Sequence, residues 1–295
     1  MFLWYKNLSD YFTTDELAEF LRVKPRKVYD LVAKEEVPFS RVMGKLLFSK
    51  EEVANWIAGK NNSVDNKKYL PDVFLGSHDP LLEYAIKQSG SGIALSFDGS
   101  NKGLERFKLN QGIASGLHIY DFTSKKWNIT SVEEHLNDKD FVLMEWAKRE
   151  RGLIFKSTNG PKKSIKDFKG QKLVSRQTGS GADNYLKNLL ESENLNLSDF
   201  LKTEIVYSEI DAVSLVLSGQ ADVTLGLASE AEKYKLKFIP VVEERFDLVI
   251  DRFSWFENPF QKLFQFSKTI EFIDIASRLK GYNIKDLGMI HFNSK

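Results

Sequence analysis

Near the amino terminus the apolar side chains recur at the i, i+3, i+4 spacing of short amphipathic helices. Thr13 and Glu16 make a capping box, and Leu17, Ala18 and Leu21 follow on one face, which predicts a helix from about residue 14 to 21. After the turn Arg22-Val23-Lys24, Pro25 suits the first position of a second helix, whose Val28, Leu31 and Val32 repeat the pattern. Ser49 and Glu52 open a third, with Val53, Trp56 and Ile57 as its apolar face. Residues 38–48, between the second and third helices, carry strand-like side chains around a Met43-Gly44 turn and form a candidate wing.

Beyond residue 69 the rhythm changes. Apolar runs at 73–75, 93–97 and 173–177 each pass through a turn of small polar residues straight into an amphipathic helix, the alternation expected of an α/β body. The polar stretch 59–68 between the two patterns reads as a connecting segment. The chain is therefore expected to consist of a helix-turn-helix head at 1–59, a linker at 60–69 and a body at 70–295, an organisation that suits a length of 295 residues.

Composition narrows the chemistry. With 42% apolar and 28% charged residues the chain is an ordinary globular one. The absence of cysteine removes thiol nucleophiles, iron-sulfur clusters, disulfides and thiolate zinc sites. The four histidines, His78, His118, His135 and His291, have no close metal-binding spacing, so neither a metal ion nor a cofactor is expected. No apolar run approaches a membrane span, and the first eight residues lack the basic start of an export signal, so a soluble cytoplasmic protein is expected. A net charge of +1 means that any binding of nucleic acid must come from a local patch.

One such patch lies in the head, where Arg22, Lys24, Arg26 and Lys27 fall within six residues at the start of the second helix. The stretch from Tyr11 to Gly59 resembles the excisionase-like winged helix-turn-helix family: a Thr-capped helix, a basic second helix containing Val28 and Tyr29, and a Gly44-Lys45 wing leading to a third helix. The resemblance implies binding to double-stranded DNA, with Lys24, Arg26, Lys27 and Tyr29 facing the major groove and Arg41 and Lys45 holding the wing. Residues 1–60 carry ten Lys/Arg against nine Asp/Glu, so one copy of the head should bind weakly, and a homodimer reading a two-part site is expected.

In the body, the segments that follow the three strands are Gly76-Ser77-His78-Asp79, Asp98-Gly99-Ser100 and Thr178-Gly179-Ser180-Gly181. Helix starts of this composition offer free backbone N–H groups to an anion, with hydroxyls as additional donors, and they are equally the ordinary caps of any helix. These segments, with 112–118, 218–223 and 244–250, resemble the cytoplasmic periplasmic-binding-protein-like domains attached to helix-turn-helix heads, which are similar to molybdate- and tungstate-binding proteins. The resemblance implies a type II-like body of two α/β lobes, the second at about 157–245, joined by crossing strands at 143–155 and 248–253. It places Ser77, His78, Gly99, Ser100, Arg176, Thr178, Ser180 and Gly181 at a ligand between the lobes. Ala182 and Asp183 stand where the family carries Thr-Arg. Asp183 either complements the dipole of its own helix or repels an anion.

The expected function is a ligand-responsive transcriptional regulator that senses a small anion or polar metabolite, with molybdate and tungstate among the candidates, and is not an enzyme. The alternative is a ligand-binding protein or enzyme of molybdenum-cofactor metabolism whose head contacts protein. His78, beside a serine at a helix start, reads as a ligand donor, and His118, in an apolar run, as a satisfied core or interface residue. The aromatic residues at 253–266 read as a packed surface.

Overall fold

A computed structural model describes residues 10–34, 36–42, 44–57, 70–157 and 161–294. The expected linker at 60–69, the first eight residues and Met43 at the wing turn lie outside them. The chain forms two compact units, residues 1–69 and 70–295.

In the first unit the order is β1 (Tyr11–Phe12), α1 (Thr14–Phe20), α2 (Pro25–Ala33), β2 (Ser40–Val42), β3 (Lys45–Ser49) and α3 (Lys50–Ile57). The Thr13 box closes in both directions: Thr13 N–H donates to Glu16 Oε2 at 2.7 Å, and Glu16 N–H donates to Thr13 Oγ1 at 3.4 Å. Strand β3 pairs antiparallel with β1 on one side and β2 on the other, so the predicted wing is a hairpin hydrogen-bonded into a small sheet. Leu17, Val28, Val32 and Val53, from the helix faces their periodicity indicated, form the core with Phe48 of β3.

The second unit opens with β4 (Val73–Gly76), α4 (Pro80–Gln88), β5 (Ala94–Phe97), α5 (Ser100–Lys108) and β6 (Ala114–Leu117). A small hairpin, β7 (Tyr120–Asp121) and β8 (Lys126–Trp127), then leads through α6 (Ile129–His135) into the long β9 (Phe141–Phe155). The next part holds β10 (Lys172–Arg176), α7 (Gly181–Ser192), β11 (Leu201–Val206), α8 (Glu209–Ser218), β12 (Val223–Leu227) and α9 (Ala228–Lys233). The chain returns along β13 (Lys237–Asp251) and ends with α10 (Asn258–Phe266), α11 (Ile270–Arg278), β14 (Tyr282–Asn283) and β15 (Ile290–Asn293).

The large sheet runs β11-β10-β12-β9-β13-β6-β4-β5. From the centre outwards each half has one plan: a long antiparallel strand, then the third, first and second parallel strands of that half. The body is thus a two-lobed α/β structure whose lobes are joined by β9 and β13, paired with each other from Phe141↔Asp251 to Phe155↔Lys237. The first lobe packs Phe74, Leu82, Trp146, Phe246, Phe260 and Phe272 in its core, and the second packs Leu153, Phe168, Leu173, Leu186, Leu190 and Leu225. The second crossing differs from the expected 248–253: it is β13, which starts at Lys237, and it tolerates Pro240 because the register shifts between Pro240 and Val242. Of the 253–266 aromatics, Phe260 is buried with Trp255 and Phe264 packed near it, while Phe253 and Phe256 are exposed.

Candidate functional site

Open parallel sheets place ligands beyond the carboxyl ends of their strands, where the order of strands reverses. Here those ends meet. A cavity of about 260 Å³ is lined by Ser77 and His78 after β4, Phe97 and Gly99 at β5, and His118 after β6. From the second lobe come Arg176 and Gln177 at β10, Ser180 and Ala182 at α7, and Tyr207, Ser208, Glu209 and Ile210 between β11 and α8. The starts of α5, α7 and α8 all border it, bringing the positive ends of three helix dipoles to one space. The lobes touch at its rim: a Cβ on Gly181 would lie 2.6 Å from the His118 carbonyl oxygen, and one on Gly99 would lie 3.9 Å from Ser180 Cα. Beside the cavity, Tyr120, Phe122 and Trp127 of the β7–β8 hairpin pack against Tyr185 of α7, bridging the lobes with aromatic contacts.

Beneath the cavity runs a buried chain of alternating charge. Asp79, the cap of α4, accepts from Arg149 Nη1 at 2.8 Å, from Tyr282 Oη at 2.6 Å and from Trp146 Nε1 at 3.3 Å. Arg149 also donates to Glu244, which accepts from Arg151 Nε at 2.7 Å. Arg151 Nη1 donates to Glu209 Oε1 at 2.9 Å, and Arg176 Nη1 lies 3.1 Å from the same oxygen. Three guanidiniums thus balance three carboxylates from one lobe to the other. Burial alone pushes the Glu244 carboxyl up, but Arg149, Arg151 and His118 outweigh it and hold the group well below the usual range. Burial likewise opposes ionisation of Glu209, yet Arg151 and Arg176 bring it down to about 2. His118 is pushed down by burial, its Nδ1 standing 3.1 Å from Glu244 Oε2.

On the first unit, Lys24, Arg26, Lys27, Tyr29, Arg41 and Lys45 are all exposed. Tyr29, Arg41 and Lys45 share a groove between α2 and the β2–β3 hairpin, floored by Val32, Phe39 and Leu46. Lys24 stands at the N-cap of α2, with Arg26 and Lys27 in its first turn. Neither face nor groove uses these cations to hold the fold together, since the core beneath is apolar.

Comparison with known proteins resolves the kind of body. Residues 82–268 match the family model described as PBP superfamily domain. The chain belongs to the PBP superfamily. This PBP superfamily member carries in addition a match to a helix-turn-helix domain at residues 11–61. It is 26% identical to the uncharacterized protein YvgK of Bacillus subtilis strain 168, over 96% of this chain and 98% of that one. Among solved structures it is similar to an ancestral arginine-binding protein bound to arginine, at 15% identity and TM-score 0.47, over 71% of this chain and 97% of that one. It is also similar to the arginine-, lysine-, histidine-binding protein ArtJ of Geobacillus stearothermophilus, at 13% identity and TM-score 0.44, over 71% and 94%. Among the described residues no helix is long and apolar enough to cross a membrane.

In this PBP superfamily body five of the eight residues expected at the ligand line the cavity: Ser77, His78, Gly99, Arg176 and Ser180. The other three stand apart from its lining. Ser100 is fully buried, its Oγ 2.7 Å from Ser77 Oγ and accepting from His118 N–H at 3.2 Å. Thr178 is exposed, and Gly181 is spent on close approach to His118. Asp183 serves its own helix, accepting from Gly179 N–H at 3.2 Å and from Lys187 Nζ at 2.8 Å. Sequence reasoning missed Glu209, Gln177, Tyr207 and the cavity face of His118. A Ser-Glu helix start at 208–209 was the available signal, but it looks like an ordinary acidic first turn.

Glu145, Asp247 and His291 bring one potential metal-ligand atom each within 4.8 Å of one another. Those atoms are already engaged: His291 Nε2 lies 2.7 Å from Glu145 Oε2, and Asp247 accepts from Asn128 Nδ2 at 2.8 Å and Arg245 Nε at 2.9 Å. Arg245 supplies balancing charge to Asp247, while the second oxygen of Glu145 is buried without a hydrogen-bond partner, 3.7 Å from Lys148 Nζ.

Proposed function

We propose that the protein is a ligand-responsive DNA-binding transcriptional regulator of the cytoplasm. The observation that carries the reading is the presence, in one chain, of a helix-turn-helix unit with exposed cations and of a two-lobed body whose helix starts border a cavity between the lobes. In this reading Lys24, Arg26, Lys27 and Tyr29 meet the major groove, and Arg41 and Lys45 meet the backbone beside it, as in an excisionase-like winged head. The body binds a small anion or polar metabolite, molybdate and tungstate included, through Ser77, His78, Gly99, Arg176 and Ser180, with Ser100 and Gly181 packed behind them and Thr178 at the exposed edge. In this reading the body binds its ligand without turning it over, and His78, with Nε2 2.8 Å from Glu83 Oε2, serves as a ligand donor. Two copies of the head on a homodimer would supply the affinity that one weakly basic head lacks. Ligand controls DNA binding only if it favours one lobe arrangement over another, a coupling of about 1–3 kcal/mol in typical cases.

The test is selection of duplexes from a random library by the full-length protein, followed by fluorescence anisotropy of a selected duplex at several salt concentrations. Arg26→Ala with Lys27→Ala should weaken binding by at least an order of magnitude and flatten the slope of log affinity against log salt by about two. Failure to enrich any sequence, or an unchanged slope in the double variant, refutes the reading.

A further inference from the structure

Four buried polar atoms on cavity-lining residues have no hydrogen-bond partner: Arg176 Nε and Nη1, Gln177 Oε1 and Glu209 Oε2. Two are donors on a cation, and two are acceptors, one of them on an anion. Arg176 Nη1 and Glu209 Oε1 are in ionic contact at 3.1 Å, but that contact leaves the second oxygen of Glu209 unfilled. It lies beside Gly226 on β12, where a Cβ would be 3.4 Å from it, in ordinary contact. Next to Glu209, outside the cavity lining, lies a further buried carboxylate. Glu230, 5% exposed at the start of α9, also has an oxygen without a partner, and its nearest cation, Lys233, is 3.9 Å away. Burial pushes the Glu230 carboxyl up, and the charge of Glu209 adds to the push. Buried polar groups left unmatched in this way mark what a ligand must bring.

A deprotonated tetrahedral oxyanion brings acceptors alone. It could take the free donors of Arg176 and the backbone N–H groups of the helix starts, but it would leave Glu209 Oε2 and Gln177 Oε1 unmatched and would face the Glu209 charge at close range. A purely cationic ligand has the converse fault, since it meets Arg176 and three positive helix ends. We propose that the cavity takes a small zwitterion, with its anionic group on Arg176 and the helix starts and its N–H-bearing cationic group on Glu209. This deepens the reading of the cleft as a ligand site and rests on it. The space sets the size: about 260 Å³ falls just below the range of drug-sized sites, about 300–1,000 Å³, and suits a molecule of amino-acid dimensions.

Full-length protein is screened by thermal unfolding at fixed ionic strength against the twenty L-amino acids, β-alanine and γ-aminobutyrate, with molybdate, tungstate, sulfate, phosphate and glycerol as the other classes. At least one zwitterion should raise the midpoint by several degrees at saturating concentration, and no oxyanion should. Isothermal titration then compares that zwitterion with the same molecule lacking its amino group, which should bind at least tenfold more weakly, and with the Glu209→Gln protein, which should lose about 10- to 100-fold in affinity. The ligand-side comparison does not depend on any variant folding. Equal binding of the molecule without its amino group, a rise with oxyanion or glycerol alone, or no rise across the panel overturns the proposal. The anisotropy assay separates this from the regulator reading: a zwitterion that binds without changing DNA affinity leaves the ligand class standing and removes the regulator. An oxyanion that binds and changes DNA affinity does the reverse.

Discussion

Glu244→Gln is the substitution to which the body should be most sensitive for its size. The carboxylate is 1% exposed and takes hydrogen bonds from Arg149, twice from Arg151 (2.7 and 3.1 Å) and from His118. Glutamine keeps the shape but withdraws the charge and turns an N–H₂ towards two guanidiniums that are themselves 1% exposed. Three buried cations then face two carboxylates, Asp79 and Glu209. Breaking one member out of a buried pair costs about 3–5 kcal/mol, because the partner is left uncompensated. For a unit of this length each kcal/mol moves the midpoint by about 2–4 °C, so a fall of roughly 6–20 °C follows. Thermal unfolding of full-length wild type and variant, followed by near-ultraviolet circular dichroism, measures this shift, and urea unfolding gives the loss in kcal/mol. The pH dependence gives a second signature. The folded Glu244 pKa is depressed, so its stabilisation is complete above the ordinary glutamate value of 4.5 and is lost as pH falls towards the folded pKa. The variant should therefore converge on wild type in acid. A loss below about 1 kcal/mol at neutral pH, or a constant gap across that window, would sink the account of the chain as an energetically coupled unit.

Gly181→Ala places a Cβ 2.6 Å from the His118 carbonyl, so the lobes should no longer meet at that rim; ligand affinity should fall while urea stability without ligand changes little, as titration and unfolding on one preparation would tell. Tyr185→Ala removes the second-lobe partner of Trp127, Tyr120 and Phe122 and should raise proteolytic susceptibility of the β7–β8 hairpin, read by limited digestion. Burial raises Asp247 to about 6 despite Arg245 and Asn128, so the favourable contribution of its protonated form is complete below 3.8 and disappears as pH rises through 6. The stability of wild type relative to Asp247→Asn should therefore decline between about pH 4 and 6, a trend opposite to that of Glu244.

Local rules reached the parts of this structure that are locally determined. The Thr13 box, Pro25 and the apolar stripes of α1, α2 and α3 are each decided within a few residues, as are the strand-to-helix turns at 76–80 and 97–100. The length of β13 was not legible, because Pro240 and the run Glu243-Glu244-Arg245 look like a solvated loop when read alone. They become strand only against Arg149, Glu150 and Arg151 of β9, about ninety residues earlier. The same non-locality hid the charge chain: arginines and glutamates on alternate strand positions look like an exposed edge until both crossing strands are covered. Ser100 and Gly181 were correctly seen as helix-start residues, but whether such a residue faces ligand or neighbour depends on which lobe presses against it.

The interleaving of the two lobes along the chain has a consequence for the order in which the protein can be built. The core of the second lobe draws on residues from Leu153 to Val223 and Leu225, one continuous stretch of polypeptide. That of the first lobe needs Phe74 and Leu82 together with Phe246, Phe260 and Phe272, and the inner edge of β6 is paired only by β13. A ribosome adding about 5–20 residues per second has therefore completed the second lobe's core sequence before the first lobe can close, leaving the β6 edge waiting for roughly ten seconds. On this order of synthesis the first lobe should be the last to fold. Loss of the final fifty residues would accordingly unmake the beginning of the body and spare its middle.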